Sequence, residues 1–289
     1  MGLTEQQIEE RRGWMGASDI AAIAGLNPYA NAHDVYLEKT GRLTPAASEA
    51  MNAGSRFETA VLDWAEDELG PLERDLLLPA PDGLPIVARL DAMLHEDRAP
   101  VEAKTGGLFG PIDSTLWGDE GTDEVPAPYI VQVQIQMFCS GACRGHLAAF
   151  LGGRGFRMYQ IDRADDLIET LVERAVKFWT DCVQADTPPT DIAPHIETVK
   201  RLYRKSGVEV EIAPELVAAW HEAAADAKAH QELADVAKAR LLAALGDGEV
   251  GLAGDIGRVT YYEQTRKAHE VAESTFRVLR FSKPKGKKR

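Results

Sequence analysis

Two short apolar runs flank a polar turn between residues 84 and 105, and each run carries an acid. The first reads Leu84-Pro-Ile-Val-Ala-Arg-Leu-Asp91-Ala-Met-Leu94, and the second Val101-Glu102-Ala103-Lys104-Thr105. Runs of this length around the turn His95 to Pro100 predict a β-hairpin or two neighbouring strands. Side chains alternate along a strand, so Glu102 and Lys104 share one face and Ala103 turns away. An acid on one strand can then meet an acid and a lysine on the next. Two carboxylates offer hard oxygen ligands to a divalent cation. An ammonium beside them can orient or activate water for attack on a phosphodiester. Acid–acid–lysine triplets also arise on ordinary solvated strands, so the hairpin alone leaves both readings open.

Composition narrows the setting. A chain of 289 residues with 45% hydrophobic content can bury one substantial core and carry an appendage. The N-terminal residues do not resemble a signal peptide and no apolar run is long enough to span a bilayer, so a soluble, cytoplasmic protein is expected. Cys139, Cys143 and Cys182 show no metal-site spacing and cannot all pair as disulfides. Cys139 and Cys143, flanked by apolar residues, are expected as buried thiols. The net charge of −14 runs against the basic footprint of most DNA-binding proteins. The charge is segregated, however. Asp119, Glu120, Asp123 and Glu124 are expected around the metal site. Basic groups gather at Arg11 and Arg12, at Lys200, Arg201, Arg204 and Lys205, and over Lys283 to Arg289, where they could meet phosphate or simply be solvated.

A core and an appendage separate along the chain. Thr4 to Arg12 opens a helix with Thr4 as N-cap and Gln7 completing a capping box. Ser18 or Asp19 would cap a second helix over Ile20 to Leu26, ended by Asn27-Pro28. Helices are predicted over His33 to Thr40, Arg56 to Leu69, Tyr129 to Ser140 and Asp165 to Gln184. Gly145 to Leu151 and Gly155 to Ile161 read as paired strands around Gly152-Gly153. Residues 105 to 128 read as an irregular connection over the site. This order of helices and strands predicts a mixed α/β layer core over residues 1–190, a linker over 191–209 and a helical arm with a basic tail over 210–289. Pro214 to Leu245 is almost free of helix breakers and would run roughly 48 Å. Leu216, Trp220, Ala223, Ala227 and residues at matching steps mark one face of it, for packing on the core or another copy, or as a DNA clamp. A strand is expected over Ile256 to Tyr262.

Five segments occur in a telling order: Arg11-Arg-Gly-Trp-Met-Gly-Ala-Ser18-Asp19, Gly54-Ser-Arg-Phe-Glu58, Asp91, Glu102-Ala-Lys104, and Tyr129-Ile-Val-Gln132-Val-Gln134. Together they resemble the phage-type alkaline exonucleases, the YqaJ-like viral recombinases, within the PD-(D/E)XK nuclease superfamily. The resemblance covers roughly residues 8 to 185. It implies a restriction-endonuclease-like core with a central mixed sheet flanked by helices. Asp91, Glu102 and the Ala103 carbonyl would hold Mg²⁺, with Mn²⁺ as alternative. Glu58 would serve a second ion or act as a base through water, Lys104 would position the water, and Gln132 would lie near it. Gln134 points from another part of the helix. Arg11 and Ser18 would bind a terminal 5′-phosphate, while Asp19 would hold the turn. Many relatives carry Ser-Pro-Asp-Gly at the first metal acid where this chain has Arg89-Leu90-Asp91-Ala92, so Arg89 would take over that serine's phosphate contact by charge or alter end recognition.

The activity implied is metal-dependent degradation of linear double-stranded DNA, 5′→3′, exposing 3′ strands for phage-type recombination. The setting would be the cytoplasm of a phage-infected or prophage-carrying bacterium. Partners implied are duplex DNA ends, a single-strand annealing protein and further copies of the chain, which form trimeric rings in some relatives. A structure-specific or restriction-type endonuclease of the same superfamily and a non-catalytic DNA-binding adaptor are the alternatives.

Overall fold

The computed structural model describes residues 5–44, 49–108, 116–190, 192–202 and 209–263. These fall into two compact units, Met1–Lys205 and Ser206–Arg289. Thr4, Arg204, Lys205 and the Lys283–Arg289 tail lie outside the described residues. No described helix is long and apolar enough to cross a membrane.

The first unit opens with three short helices, α1 (Glu5–Arg12), α2 (Ala17–Ile23) and α3 (Ala32–Lys39), followed by the longer α4 (Glu49–Leu69). Strands β1 (Leu72–Pro79), β2 (Val87–Leu94) and β3 (Pro100–Gly106) come next. Helix α5 (Ala127–Ser140) crosses over to β4 (Arg144–Leu151), and β5 (Gly155–Asp162) returns from it. Helix α6 (Asp165–Phe178) and a π-helical turn over Trp179–Gln184 follow, with α7 (Ile196–Arg201) after them. The sheet order is β1-β2-β3-β4-β5, with β3 and β4 parallel and every other neighbour antiparallel. This is the mixed α/β core that the resemblance implies.

Alternation along β4 gives the sheet two apolar faces. Leu147, Ala149 and Leu151 pack with Val133 and Met137 of α5, while Ala148 packs with Val61, Leu62 and Ala65 of α4. Each large aliphatic side chain buried this way contributes about 1.5–3 kcal/mol. The other side of α5 buries Val131 and Ile135 against α2, α3 and α6, so α5 is a central helix with core on two sides. Gly145 makes that closeness possible, because a Cβ there would stand 2.4 Å from Val133 Cγ1.

Several boundaries differ from expectation for local reasons. Helix α2 starts at Ala17 with Gly16 as N-cap; the Gly16 N–H donates to Asp19 Oδ2 at 2.8 Å, so Asp19 closes a capping box from the third helical position and neither it nor Ser18 is the cap. Helix α4 begins seven residues early, at Glu49 rather than Arg56, running straight through Gly54. Cys139 is half-buried, but Cys143 is exposed in the turn after Gly141, which ends α5 at φ +76°.

In the second unit, α8 (Pro214–Leu245) has the expected bounds, and none of its side chains is buried. The expected strand over Ile256 to Tyr262 shrinks to β7 (Arg258–Thr260), paired with an unforeseen β6 (Val250–Leu252).

Candidate active site

The simple alternation of β2 fails at Asp91. Ala88 and Leu90 pack with Met93 beside Cys139 of α5, whereas Ala92 and Leu94 pack beneath α4. On one side, the β1–β2 register runs from Arg74↔Ala92 to Leu76↔Leu90 and skips the pair between them, where Asp75 has φ +56°. On the other, β2 meets β3 only at Ala92↔Val101 and Met93↔Pro100, so the ladder ends before Asp91 would face Glu102. Strands that part leave backbone donors to satisfy. Asp91 Oδ2 takes one of them, accepting the Ala103 N–H at 2.9 Å. A residue's N–H and C=O point to the same side of an extended strand, so the Ala103 carbonyl also faces this gap.

Glu102 is buried, and both its oxygens are engaged. One accepts from the Lys104 ammonium, and Oε2 accepts from Gln136 Nε2 at 2.5 Å. Burial pushes Asp91 up to about 7, and the negative charge of Glu102 adds to that effect against the pull of Lys104. Glu58, reaching in from α4, is raised by burial and then by Glu102. Burial alone would lower Lys104, but Glu102 and Asp91 outweigh it and hold the lysine above its ordinary value. Its two acidic neighbours thus favour the protonated ammonium. Its ammonium also lies 5.2 Å from the centre of the Tyr129 ring, a cation–π contact.

The donor set fits a hard divalent cation. Asp91, Glu102 and the Ala103 carbonyl would hold it, all through oxygen, and a bound cation would offset the burial and the Glu102 charge that raise Asp91. Among the described residues no three His, Cys, Asp or Glu side chains converge as a metal-binding group. Glu58 lies near enough for the Glu102 charge to raise it.

A cleft of about 380 Å³ opens beside Glu102, lined among others by Arg11, Trp14, Ser18, Arg89, Gln132 and Gln136. The structure thus brings the expected end-binding residues Arg11, Ser18 and Arg89 to one wall system with Glu102 and Gln132. Arg89 is anchored by Asp75, whose Oδ1 accepts from Nε at 2.9 Å and lies 2.7 Å from Nη2. Arg11 and Ser18 are held by a buried ion pair that sequence reasoning missed. Lys39 Nζ sits 2.6 Å from Asp19 Oδ2 and donates to the Arg11 carbonyl at 2.9 Å, fastening α1 to α2. Burial would raise Asp19, but the charges of Lys39 and Arg11 win and hold it low.

The glutamines of α5 divide by helical spacing. Gln132 and Gln136, four apart, share the face that lines the cleft. Gln134 points away and is structural: its Nε2 donates to the Asp162 carbonyl at 2.8 Å, and its Oε1 accepts the Ala164 N–H at 3.0 Å. Sequence reasoning missed Gln136, although its spacing from Gln132 was the available signal. Asp75 carried no such signal, because nothing in the residues around it marks a left-handed backbone inside a strand. The acidic stretch 119–124 covers the free edge of β5 and does not surround Asp91. The Gly121 N–H donates to the Met158 carbonyl at 2.9 Å, Gln160 N–H to the Thr122 carbonyl at 3.2 Å, and Glu120 accepts the Met158 N–H. A strand edge needs such partners, and this loop supplies them.

Residues 8–143 match the family model of the YqaJ-like viral recombinase domain. The match spans 136 of the 289 residues. Every residue of the Asp91–Glu102–Lys104 cluster and of the cleft lies inside it. The YqaJ protein of Bacillus subtilis strain 168 is 32% identical over 195 residues, covering 65% of this chain. The chain spans 59% of that relative's length. Among solved structures, an alkaline exonuclease from Laribacter hongkongensis superposes with a TM-score of 0.49 at 19% identity, over 63% of this chain and 94% of its own. A phage-related exonuclease from Haemophilus somnus 129PT gives 0.47 at 14% identity, over 60% and 96%.

Proposed function

We propose that this chain is a metal-dependent deoxyribonuclease that degrades linear double-stranded DNA from its ends, 5′→3′, leaving 3′ strands for recombination through a single-strand annealing protein. The observation that carries this reading is the continuity of two features: through Glu102, the Asp91–Glu102–Lys104 cluster meets a cleft bearing Arg11, Ser18 and Arg89. The match of residues 8–143 to the viral recombinase family model supports the same reading.

The roles follow from the groups present. Arg89 and Arg11 would neutralise a terminal 5′-phosphate, with the Ser18 hydroxyl as a further donor; charge-assisted contacts of this kind are the stronger class of hydrogen bond. Asp91, Glu102 and the Ala103 carbonyl would hold Mg²⁺ or Mn²⁺. A bound divalent cation supplies two things here, a more acidic water and neutralisation of charge building on the phosphate. Lys104, held protonated by its two acidic neighbours, would donate to the non-bridging oxygens as that charge grows. Gln132 Oε1 is buried and accepts from no described protein group, so it can hold a proton of the attacking water. Glu58 would serve a second ion or take a proton through water. Hydrolysis adds water across the P–O bond and leaves the phosphate on the 5′ side of the released nucleotide. Processive action would follow from a ring of copies around the duplex.

The test is digestion of 5′-phosphorylated linear duplex beside covalently closed circular duplex, in Mg²⁺ or EDTA, by wild type and Lys104→Ala. The expected result is loss of linear DNA only, dependent on metal and abolished by the substitution. Cutting of the circle would make this an endonuclease. If folded wild-type protein in Mg²⁺ left both DNAs intact, the reading would give way to a DNA-binding adaptor.

A further inference from the structure

Where β2 and β3 part, one side chain from a third element bridges them. Gln136 of α5 is almost fully buried, with 1% exposure. Its Nε2 donates to Glu102 Oε2 on β3 at 2.5 Å and to the Arg89 carbonyl on β2 at 3.3 Å. Both partners are acceptors only, so the amide cannot be turned over without setting its oxygen against a carboxylate and a carbonyl. Its orientation is therefore fixed by its surroundings. The two hydrogens of Nε2 are both spent, and Oε1 is left buried against the cleft wall, accepting from no described protein group.

This contact sits where strand pairing is missing. The β2–β3 ladder stops after Ala92↔Val101, leaving the stretch from Arg89 to Asp91 and the stretch from Glu102 to Lys104 without mutual backbone bonds. Only side chains cross the gap there: Asp91 to the Ala103 N–H, and Gln136 to Glu102 and Arg89. Lys104 restrains the other oxygen of Glu102 but rides on the same strand, so it cannot fix that carboxylate relative to β2.

We propose that Gln136 is a positioning residue that fixes the carboxylate of Glu102 relative to β2, and so ties the metal-holding acids to the strand that carries Arg89 into the cleft. It acts through Glu102 and touches neither DNA phosphate nor metal. This rests on the metal-dependent nuclease reading given above. A shorter or apolar side chain leaves Glu102 free to swing on Lys104 and separates the spacing of Asp91 and Glu102 from the strand register. Removing the partner that orients a ligand typically weakens metal affinity or activity roughly 10- to 100-fold.

The experiment uses the full chain as wild type, Gln136→Met and Gln136→Glu. Methionine keeps the volume without the donor, and glutamate sets a charge beside Glu102. Mg²⁺ binding without DNA is measured by titration calorimetry, with kcat and KM on 5′-phosphorylated duplex and the unfolding midpoint in EDTA as further readouts. For Gln136→Met we expect Mg²⁺ affinity and kcat to fall roughly tenfold or more, with KM for DNA ends near wild type and a cooperative unfolding transition retained. Gln136→Glu should bind Mg²⁺ no better than Gln136→Met and turn over no faster. Wild-type affinity and kcat in Gln136→Met would overturn the proposal, as would a loss confined to KM. If Gln136→Met fails to fold, Gln136→Glu decides by the same readouts. Wild type that cuts DNA without binding Mg²⁺ overturns the metal dependence, wild type that does neither overturns the nuclease reading itself, and either result removes the positioning role.

Discussion

Replacing Asp91 with asparagine should make the metal-free protein more resistant to unfolding, and increasingly so as pH rises. In the folded chain burial and the Glu102 charge push Asp91 from 3.8 up to about 7. The folded state therefore holds this proton over a pH range in which the unfolded chain has released it. Stability is lost as pH rises above the unfolded value, through 7, and the loss levels off beyond that. A shift of this size corresponds to about 4 kcal/mol in full. Asp91 is only part-buried, and water at its exposed edge screens some of the effect, leaving about 2–4 kcal/mol. Asparagine carries no charge to bury, and its carbonyl oxygen can still accept the Ala103 N–H. Between pH 5 and pH 8.5 the advantage of Asp91→Asn over wild type should grow by about 1–3 kcal/mol, which is roughly 3–10 °C in Tm for a domain of this size.

The assay is thermal unfolding followed by circular dichroism in EDTA for both proteins across that pH range, repeated with millimolar Mg²⁺. Bound cation should stabilise wild type most at high pH and narrow the gap, since only wild type has both carboxylates to offer. Parallel pH profiles in EDTA would refute the reasoning, because they would mean that Asp91 carries its charge in the folded state at no cost. A gap that Mg²⁺ leaves untouched would keep the electrostatics and remove the metal.

Three further outcomes follow from the same geometry. Lys104→Met should lower kcat on linear duplex by roughly 10²- to 10³-fold through loss of charge stabilisation on the phosphate; a rise in KM alone, with kcat intact, would contradict that role. Arg89→Ala removes a charge-assisted contact of about 1.5–3 kcal/mol, so KM for 5′-phosphorylated ends should rise while 5′-hydroxyl ends are little affected, as steady-state kinetics on the two substrates would reveal. Lys39→Met strands the buried Asp19 carboxylate and should cost about 3–5 kcal/mol in urea unfolding, whereas an unchanged midpoint would mean that Asp19 finds another partner.

Much of this was legible because the signals are local. The apolar stripes of α4 and α5, the breaker-free run of α8 and the glycine turn between β4 and β5 are written in single stretches of chain, and period and punctuation recover them. Glu102 and Lys104 were equally legible, since two residues apart on a strand means one face. The boundaries that moved did so where tertiary contacts overrode local rules. Helix α4 runs back past Gly54 beside β3, where a Cβ on that glycine would lie 3.5 Å from Thr105 Oγ1. The 119–124 acids look like a charged cluster in sequence, but their loop is spent on the edge of β5, through the backbone of Gly121 and Thr122 and the Glu120 side chain.

The site resisted for a different reason: it is made by departures from regularity. Alternation on β2 predicts one face for Leu90, Ala92 and Leu94, yet the strand changes face at Asp91, where Asp75 opposite it turns left-handed and the β3 ladder stops. A regular hairpin would have paired Asp91 with Glu102 through backbone bonds and left no gap between their carboxylates. The irregularity is what opens a space lined by oxygen, and it exposes backbone groups that only side chains can reach. Asp91 answers the donor of Ala103, and Gln136 supplies a donor to Arg89 and Glu102. These two side chains replace pairing that a period-two reading assumes. That is why the acids were named from sequence while Gln136, marked only by its four-residue step from Gln132, was passed over.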